Sequence, residues 1–529
     1  MRFFVQPDRT FVSTQDPPGA VLVPDSWNDY GYMTSYDLWF RPEGDPPHKL
    51  GRFKIARGDQ EMGPSVLEPG EYEDEIPRVE DIGWFSLGQD DLYYDRIRKL
   101  GAEAREQILV GLWDIAFDLE RFEQAQEYEV VQTSLLRSVE PETVRNQFHR
   151  IAHGGARVTE FRFQYHFPAA DPRLKPAAPQ KLTFEVQPDS SPPSNIHVLI
   201  GRNGVGKTSL LSELAWLVVR PDHGRQELGH IEYLPTNMSP AGEPFVNVLS
   251  VSFSAFDAFS ELSTPGASYT YVGLVDESGE ERLPKSRAQL AQEFLNSLSE
   301  IAAAGRYARW CECVSMLHQD NHLPALLTSD LLASDPTYPG VIPPSTARDV
   351  AEAFSQLSAG HAIVLLTVTR LVQQVAEQSL VLIDEPEAHL HPPLLSAFVR
   401  VLSHLLAERN GVAVVATHSP VILQEVPRSC VYKLIRTGER HRGRRPNIET
   451  YGENVGVLTH EIFGLEVMES GFYAEIEKAV ADLDSYDEVL AHFHNQLGGE
   501  AKGLVRILLA DKDSERRRNP RAAEPDVAP

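Results

Sequence analysis

Cysteine is scarce: three in 529 residues cannot build a disulfide framework, and Cys311 and Cys313 lack the second ligand pair that a zinc site needs. Reduced thiols are the expectation. Long apolar runs are missing too. Ala362 to Leu366 and Leu380 to Ile383 are short and flanked by polar residues, well below the roughly 20 residues of a membrane span. The opening Met1-Arg2-Phe3-Phe4-Val5-Gln6-Pro7-Asp8 leads into no apolar core of signal-peptide length, so a cytoplasmic protein without membrane contact is expected. Positive charge is outnumbered, 49 Lys and Arg against 76 Asp and Glu, for a net −27. Nucleic acid could then be met only through a local patch or a partner's surface. The stretch between Thr208 and Ser358 lacks the sustained heptads of a coiled-coil arm.

What is present describes a soluble globular chain, 42% hydrophobic and 24% charged, long enough for two or three cores. Residues 1–155 mix aromatic-rich alternation with helical periodicity. Trp27, Tyr30, Tyr32, Tyr36, Trp39 and Phe40 suggest strands and a core, and Ile97, Leu100, Ile108, Leu112, Ile115 and Leu119 suggest helix. An α+β N-terminal domain without recognisable chemistry is the reading. From about residue 156, Phe161, Phe163, Tyr165 and Phe167, then Leu182, Phe184 and Val186, alternate as strands of a small antiparallel lobe. A hairpin is expected over Tyr269 to Val275, turning near Gly279, and a helix carries Leu290, Phe294, Leu298 and Ile301 on one stripe. The expected organisation is an α/β domain over 156–470 with a compact helical lobe at about 257–358, C-terminal helices over 471–510, and a disordered tail over 511–529.

The chemistry begins at Gly201-Arg202-Asn203-Gly204-Val205-Gly206-Lys207-Thr208, which fits G-x-x-x-x-G-K-[ST] between the buried strand Ile196 to Ile200 and the helical run from Ser209. Glycines let backbone N–H groups turn around phosphates at a helix N-terminus, Lys207 reaches the β- and γ-phosphates, and Thr208 ligates Mg²⁺. The apolar Leu380-Val381-Leu382-Ile383 ends in Asp384-Glu385-Pro386-Glu387, so Asp384 suits the Mg²⁺ shell and Glu385 the attacking water. Val412 to Ala416 ends in Thr417-His418-Ser419-Pro420, where His418 can bridge the γ-phosphate and the water-activating acid. In Ser355-Gln356-Leu357-Ser358-Ala359-Gly360-His361, Ser358 and Gly360 open a helix over about Ala362 to Ala376 and can donate to a phosphate. Their own nucleotide is already held by the first loop, which makes them donors to a neighbour's.

These motifs resemble the ABC ATPase superfamily over residues 156 to 470, and Asp384 to Pro392 with Ala416 to Pro420 resemble its SMC-, RecF- and OLD-like branch. The resemblance implies two heads sandwiching ATP, with Arg202 to Ser209, Ser358 and Gly360 on the nucleotide, Thr208 and Asp384 on Mg²⁺, and Glu385, His418 and Lys207 in catalysis. More narrowly, Val251 to Asp257 and Glu453 to Thr459 are similar to ATPase subunits of Septu-type anti-phage systems. That similarity implies a homodimer, or a higher oligomer, controlling a separate HNH-type nuclease. Ser254 or a neighbour stands where that family carries a magnesium-sensing glutamine, and His361 stands where related loops carry an acid or glutamine. The competing reading is a RecF- or SMC-like repair ATPase that binds DNA directly; a transporter's energy subunit fits poorly with the long N-terminal region. The basic stretch Lys433, Arg436, Arg440, Arg442, Arg444 and Arg445 reads as a solvated hairpin tip that could touch phosphates. Asp482-Leu483-Asp484 and His492-Phe493-His494-Asn495 read as solvated helix surface rather than nuclease motifs.

Overall fold

The computed structural model describes residues 1–518 except 9–11, 14–15, 26, 77–82, 156–159, 169–179, 189, 221–227, 236–244, 254–268, 277–282, 305, 318–343, 438–439 and 470. Chain contacts divide it into two units, Met1–Arg445 and Pro446–Pro529, whereas the sequence reading carried the ATPase region on to 470.

The first unit opens with a six-stranded sheet of β1 (Arg2–Val5), β2 (Gly19–Pro24), β3 (Ser35–Arg41), β4 (His48–Arg57), β5 (Gly70–Glu73) and β6 (Trp84–Gly88), in the order β5-β1-β2-β3-β4-β6. Alternation puts Phe3, Leu22, Leu38, Phe53 and Leu87 inside, where Tyr93, Tyr94, Ile97, Ile108 and Phe122 from three following helices, Asp91–Lys99, Ala102–Gly111 and Leu119–Ala125, complete one core. Tyr32 and Tyr36 of the aromatic run join this core, while Tyr30 is 68% exposed.

A three-stranded antiparallel lobe follows, β10-β7-β8, from β7 (Phe161–His166), β8 (Lys181–Val186) and β10 (His230–Leu234). It packs with a seven-stranded sheet through Phe163, Tyr165, Leu182 and Phe184 against Leu199, Leu210 and Leu214. That sheet runs β12-β11-β15-β16-β9-β17-β18, comprising β9 (Ile196–Ile200), β11 (Asn247–Ser252), β12 (Tyr269–Val272), β15 (Ser379–Asp384), β16 (Val412–Thr417), β17 (Val431–Thr437) and β18 (Arg440–Arg444). All neighbours are parallel except β17 and β18. Strands β9, β15 and β16 are buried end to end, as central strands of a parallel sheet must be.

Two expectations change here. Tyr269–Val272 is not a hairpin arm but a parallel edge strand beside β11; among the described residues of this stretch only β13 (Val275–Asp276) and β14 (Leu283–Pro284) pair as a short antiparallel ribbon, and the turn expected near Gly279 lies outside the described residues. Alternation suits either pairing, and tertiary partners decide. The basic stretch from Arg436 is strand as well as turn, because Lys433, Ile435 and Arg436 of β17 register with Arg444, Arg442 and His441 of β18.

The helical lobe holds helices Arg287–Ala303, Tyr307–Leu317 and Pro344–Gln356, with the helix Ala359–Gln374 running on from it. Ser286 and Gln289 form a capping box on the first, whose Phe294, Leu298 and Ile301 are fully buried. The N-terminal region is tied to this lobe by buried charge. Arg309 of the lobe donates to Asp90 at 2.9 Å and Asp91 at 3.1 Å, and Arg409, at the end of the helix Pro392–Arg409 that follows β15, donates to Asp90 at 3.1 Å and Asp91 at 2.5 Å. Burial pushes both carboxyls up, but Arg309 and Arg409 hold Asp90 well below its ordinary range; Asp91, facing the charge of Asp90, stays raised.

The second unit is helical: Val455–Glu469, Phe472–Asp482, Tyr486–His492 and Gly499–Arg518, with Ile476, Val480, Val489 and Val505 at its core. Its last helix extends into the segment read as a disordered tail, and residues 519–529 lie outside the described residues. Asp484 is exposed and pairs with Lys512 at 2.8 Å, and His492 and His494 are exposed.

Candidate functional site

Strands β9, β16 and β15 are adjacent and parallel, in a register that sets Ile200 beside Thr417 and Asp384 beside Ala416. Whatever follows their C-terminal ends is therefore brought together, the usual place for a ligand in such a sheet. After β9 comes the glycine loop. Gly204 and Gly206 have φ of +75° and +91°, a left-handed turn that a side chain would strain, and the helix Lys207–Val219 starts directly behind them. Arg202, Asn203 and Gly204 are exposed, Val205 is buried, and Thr208 and Ser209 open the helix at the surface.

Lys207 is 5% exposed, and its Nζ donates to the Gly201 and Arg202 carbonyls at 3.1 and 3.3 Å. Burial lowers its pKa, against the pull of Glu385, Asp384 and Glu387. The same Nζ lies 2.7 Å from His418 Nε2, which in turn lies 3.2 Å from Glu385 Oε1. One ring nitrogen thus sits between a cation and a carboxylate and can serve only one of them at a time: as an acceptor it takes the lysine proton, as a donor it binds Glu385. Glu385 itself has φ +44°, a left-handed backbone on a non-glycine residue. Such strain persists where the surroundings enforce it, here through Glu385 N donating to Ala416 O at 2.9 Å. Asp384, 8% exposed, ends β15 beside it.

Three contributors carried no assigned role in the sequence reading. Glu387 accepts from Thr417 Oγ1 at 2.8 Å and from His418 N at 2.5 Å, fixing the turn that presents the imidazole; its place as the third acid of Asp384-Glu385-Pro386-Glu387 was the available signal. His441 of β18 reaches Val205 O with Nδ1 at 3.1 Å, and its Cε1 lies 3.0 Å from where a Cβ on Gly206 would stand. Arg287 donates to Ser355 O at 2.7 Å and Leu357 O at 3.2 Å, holding the loop before Ser358. Nothing in the local sequence announces the last two.

Ser358 caps the helix Ala359–Gln374, three residues earlier than expected, and its Oγ lies 2.7 Å from His361 Nδ1. A Cβ on Gly360 would stand 2.6 Å from the His389 carbonyl, which explains the glycine by close approach. Among the described residues neither Ser358 nor Gly360 hydrogen-bonds to Lys207, Glu385 or His418. Ser254 lies outside the described residues. Cys311, Cys313 and Cys430 are free thiols, and burial pushes Cys313 up to about 12. No described helix is long and apolar enough to cross a membrane.

A phosphate loop, paired acids and a strand-end histidine on one parallel α/β sheet define an ATPase domain of the AAA/ABC type. Residues 346–424, which include Ser358, Glu385 and His418, match the family described as "AAA domain, putative AbiEii toxin, Type IV TA system". The whole chain belongs to the family of protein ea59 of Escherichia phage lambda, with which it is 35% identical over 511 residues, 93% of this chain and 95% of that one. Among solved structures it is similar to the SMC head domain from Thermotoga maritima (12% identity, TM-score 0.29, 54% of this chain and 99% of that one). It is similar too to UvrA2 from Deinococcus radiodurans (12% identity, TM-score 0.27, 52% of this chain and 35% of that one).

Proposed function

We propose that this protein hydrolyses ATP to ADP and phosphate with Mg²⁺, as a homodimer that controls a separate nuclease in anti-phage defence. The observation that carries the hydrolase reading is the Lys207–His418–Glu385 relay, 2.7 Å and then 3.2 Å, at the mouth of the glycine loop. The donor set suits the metal: the Thr208 hydroxyl, in the first turn of the helix after β9, and the Asp384 carboxylate, at the end of β15, are hard oxygen ligands on the same edge of the sheet, with β16 between their strands. When bound, Mg²⁺ neutralises phosphate oxygens of the nucleotide. Lys207 leaves the loop carbonyls and His418 for the β- and γ-phosphates, which frees His418 Nε2 to hold Glu385. Glu385 orients water and takes its proton as the water oxygen bonds to the γ-phosphorus and the bond to the β-phosphate bridging oxygen breaks.

Ser358 and Gly360 open a helix whose N–H groups do not serve their own Lys207 cluster, and in the dimer they close on the partner's γ-phosphate. The nuclease partner, HNH-type, rests on the likeness to Septu ATPase subunits, and the relative encoded by phage lambda lends support to a role in phage biology. Work of this kind belongs in the cytoplasm. The β17–β18 hairpin favours one second reading, direct DNA binding, because Lys433, Arg442 and Arg444 share one of its faces.

The test is Glu385→Gln against Lys207→Ala. The first is expected to cut ATP turnover about 10²- to 10⁴-fold while keeping nucleotide binding and trapping dimers, the second to abolish binding. Unchanged turnover in Glu385→Gln removes Glu385 from the chemistry. Co-purification from native cells of a nuclease in fixed ratio supports the defence reading, and a free dimer holding DNA in a salt-dependent way supports the second.

A further inference from the structure

The basic stretch from Arg436, which reads in the sequence as a solvated tip, lies against the glycine loop. The β17–β18 hairpin meets that loop at four points. A Cβ on Gly201 would stand 2.6 Å from Leu434 O, Arg436 Nη1 donates to Gly204 O at 3.4 Å, His441 Nδ1 lies 3.1 Å from Val205 O, and a Cβ on Gly206 would stand 3.0 Å from His441 Cε1. Arg436 and His441 are register partners, so both act from one face of the hairpin. Phe167 backs the half-buried His441 ring, parallel to within 6° at a centroid distance of 6.0 Å.

These contacts hold carbonyl groups, and carbonyls decide where a phosphate loop aims its donors. In a planar trans peptide the C=O of one residue and the N–H of the next point in opposite directions. A loop that turns N–H groups inward around an anion must therefore turn the preceding carbonyls outward, where each needs a donor of its own. Lys207 supplies two of them, Gly201 O and Arg202 O. The hairpin supplies two more, Gly204 O through Arg436 and Val205 O through His441. Val205 O can only accept, so the hydrogen of this bond sits on His441 Nδ1. Val205 lies between Gly204 and Gly206, whose φ of +75° and +91° leave the peptide planes on either side of it to be fixed from outside.

We infer that His441 is a positioning residue for the nucleotide: by holding the Val205 carbonyl outward it aims the Gly206 N–H into the loop, at the phosphates. The role presupposes the ATP reading of the loop given above. Lys207 leaves its two carbonyls when it turns to the β- and γ-phosphates, whereas His441 touches no phosphate and keeps its carbonyl throughout. The cradle thus stays formed while the lysine moves. Backbone donors of such a loop meet the α- and β-phosphates, which ADP and ATP share, so His441 acts on both nucleotides alike and on the bound state rather than on the bond that breaks.

The experiment is calorimetric titration of the full chain with Mg·ADP and Mg·ATP, alongside steady-state ATP turnover, for the parent, His441→Ala, His441→Asn and His441→Gln. An asparagine amide nitrogen takes the place of Nδ1 and a glutamine one that of Nε2, so only asparagine keeps the donor to Val205 O. His441→Ala and His441→Gln are expected to bind ADP and ATP roughly two- to tenfold more weakly, by the same factor for both, with KM raised and kcat kept. His441→Asn is expected to stay within about twofold of the parent. A merely structural histidine would shift melting without following the position of the donor. Melting of each variant establishes that it folds; if His441→Ala does not, the asparagine and glutamine variants decide. The inference is overturned if the folded alanine and glutamine variants bind as the parent does, or if asparagine loses as much as glutamine. A parent that binds neither nucleotide removes the ATP reading and this role with it, whereas a parent that binds no better than its variants removes the role alone.

Discussion

Acid should loosen the nucleotide-binding sheet through one residue, His197, in the middle of β9. Its ring is 1% exposed, packed edge-on to Phe184 at a centroid distance of 5.2 Å. Burial, and then the charge of Arg445, push its pKa from 6.5 down to about 3. A depressed folded-state pKa means the stability is complete above 6.5 and lost as the pH falls towards 3, since the unfolded chain takes up a proton that the folded chain refuses. At pH 4 the difference has accumulated over about 2.5 pH units at ~1.4 kcal/mol each, so this histidine alone removes about 3 kcal/mol. Carboxylates titrate in the same interval, and the measurement must cancel them. Urea unfolding of the parent and of His197→Leu at pH 7 and pH 4 does so, because leucine keeps an apolar body against Phe184 and has no proton to gain. The loss from pH 7 to pH 4 should be about 3 kcal/mol smaller in the variant. Losses that agree within about 1 kcal/mol would refute the claim that His197 is held neutral in the sheet.

Asp114 carries the opposite sign: burial raises it to about 7, against hydrogen bonds from Phe117 N and Tyr94 Oη, so its contribution is complete below 3.8 and lost as the pH rises through 7. Asp114→Asn should accordingly flatten thermal stability between pH 5 and 7 by about 2 kcal/mol, read from melting at both pH values. Arg409→Met removes one of the two arginines that Asp90 and Asp91 share, leaving Arg309 on both, and should cost about 1–3 kcal/mol in urea unfolding. Arg287→Ala frees the Ser355 and Leu357 carbonyls and should slow ATP turnover at unchanged nucleotide affinity, with Arg287→Lys recovering part of the rate; unchanged turnover would show that the loop keeps its place without the arginine.

How far the chain could be read from its residues follows from how far apart the cooperating groups lie. The glycine loop, Asp384-Glu385 and His418 each sit next to a short apolar strand, so local pattern locates them, and the parallel pairing of β9, β16 and β15 brings Lys207, His418 and Glu385 within hydrogen-bonding distance. Edge elements were harder: Tyr269 to Val272 alternates as a hairpin arm does, and only β11 beside it makes it part of the main sheet. Least legible were charges whose partners are remote. Asp90 meets Arg309 across 219 positions and Asp91 meets Arg409 across 318, and no window of sequence contains both members of either pair. Isolated, those acids look like solvated helix starts; only the fold, by removing water from them, converts an ordinary Asp-Asp at a helix cap into the joint between the N-terminal region and the lobe.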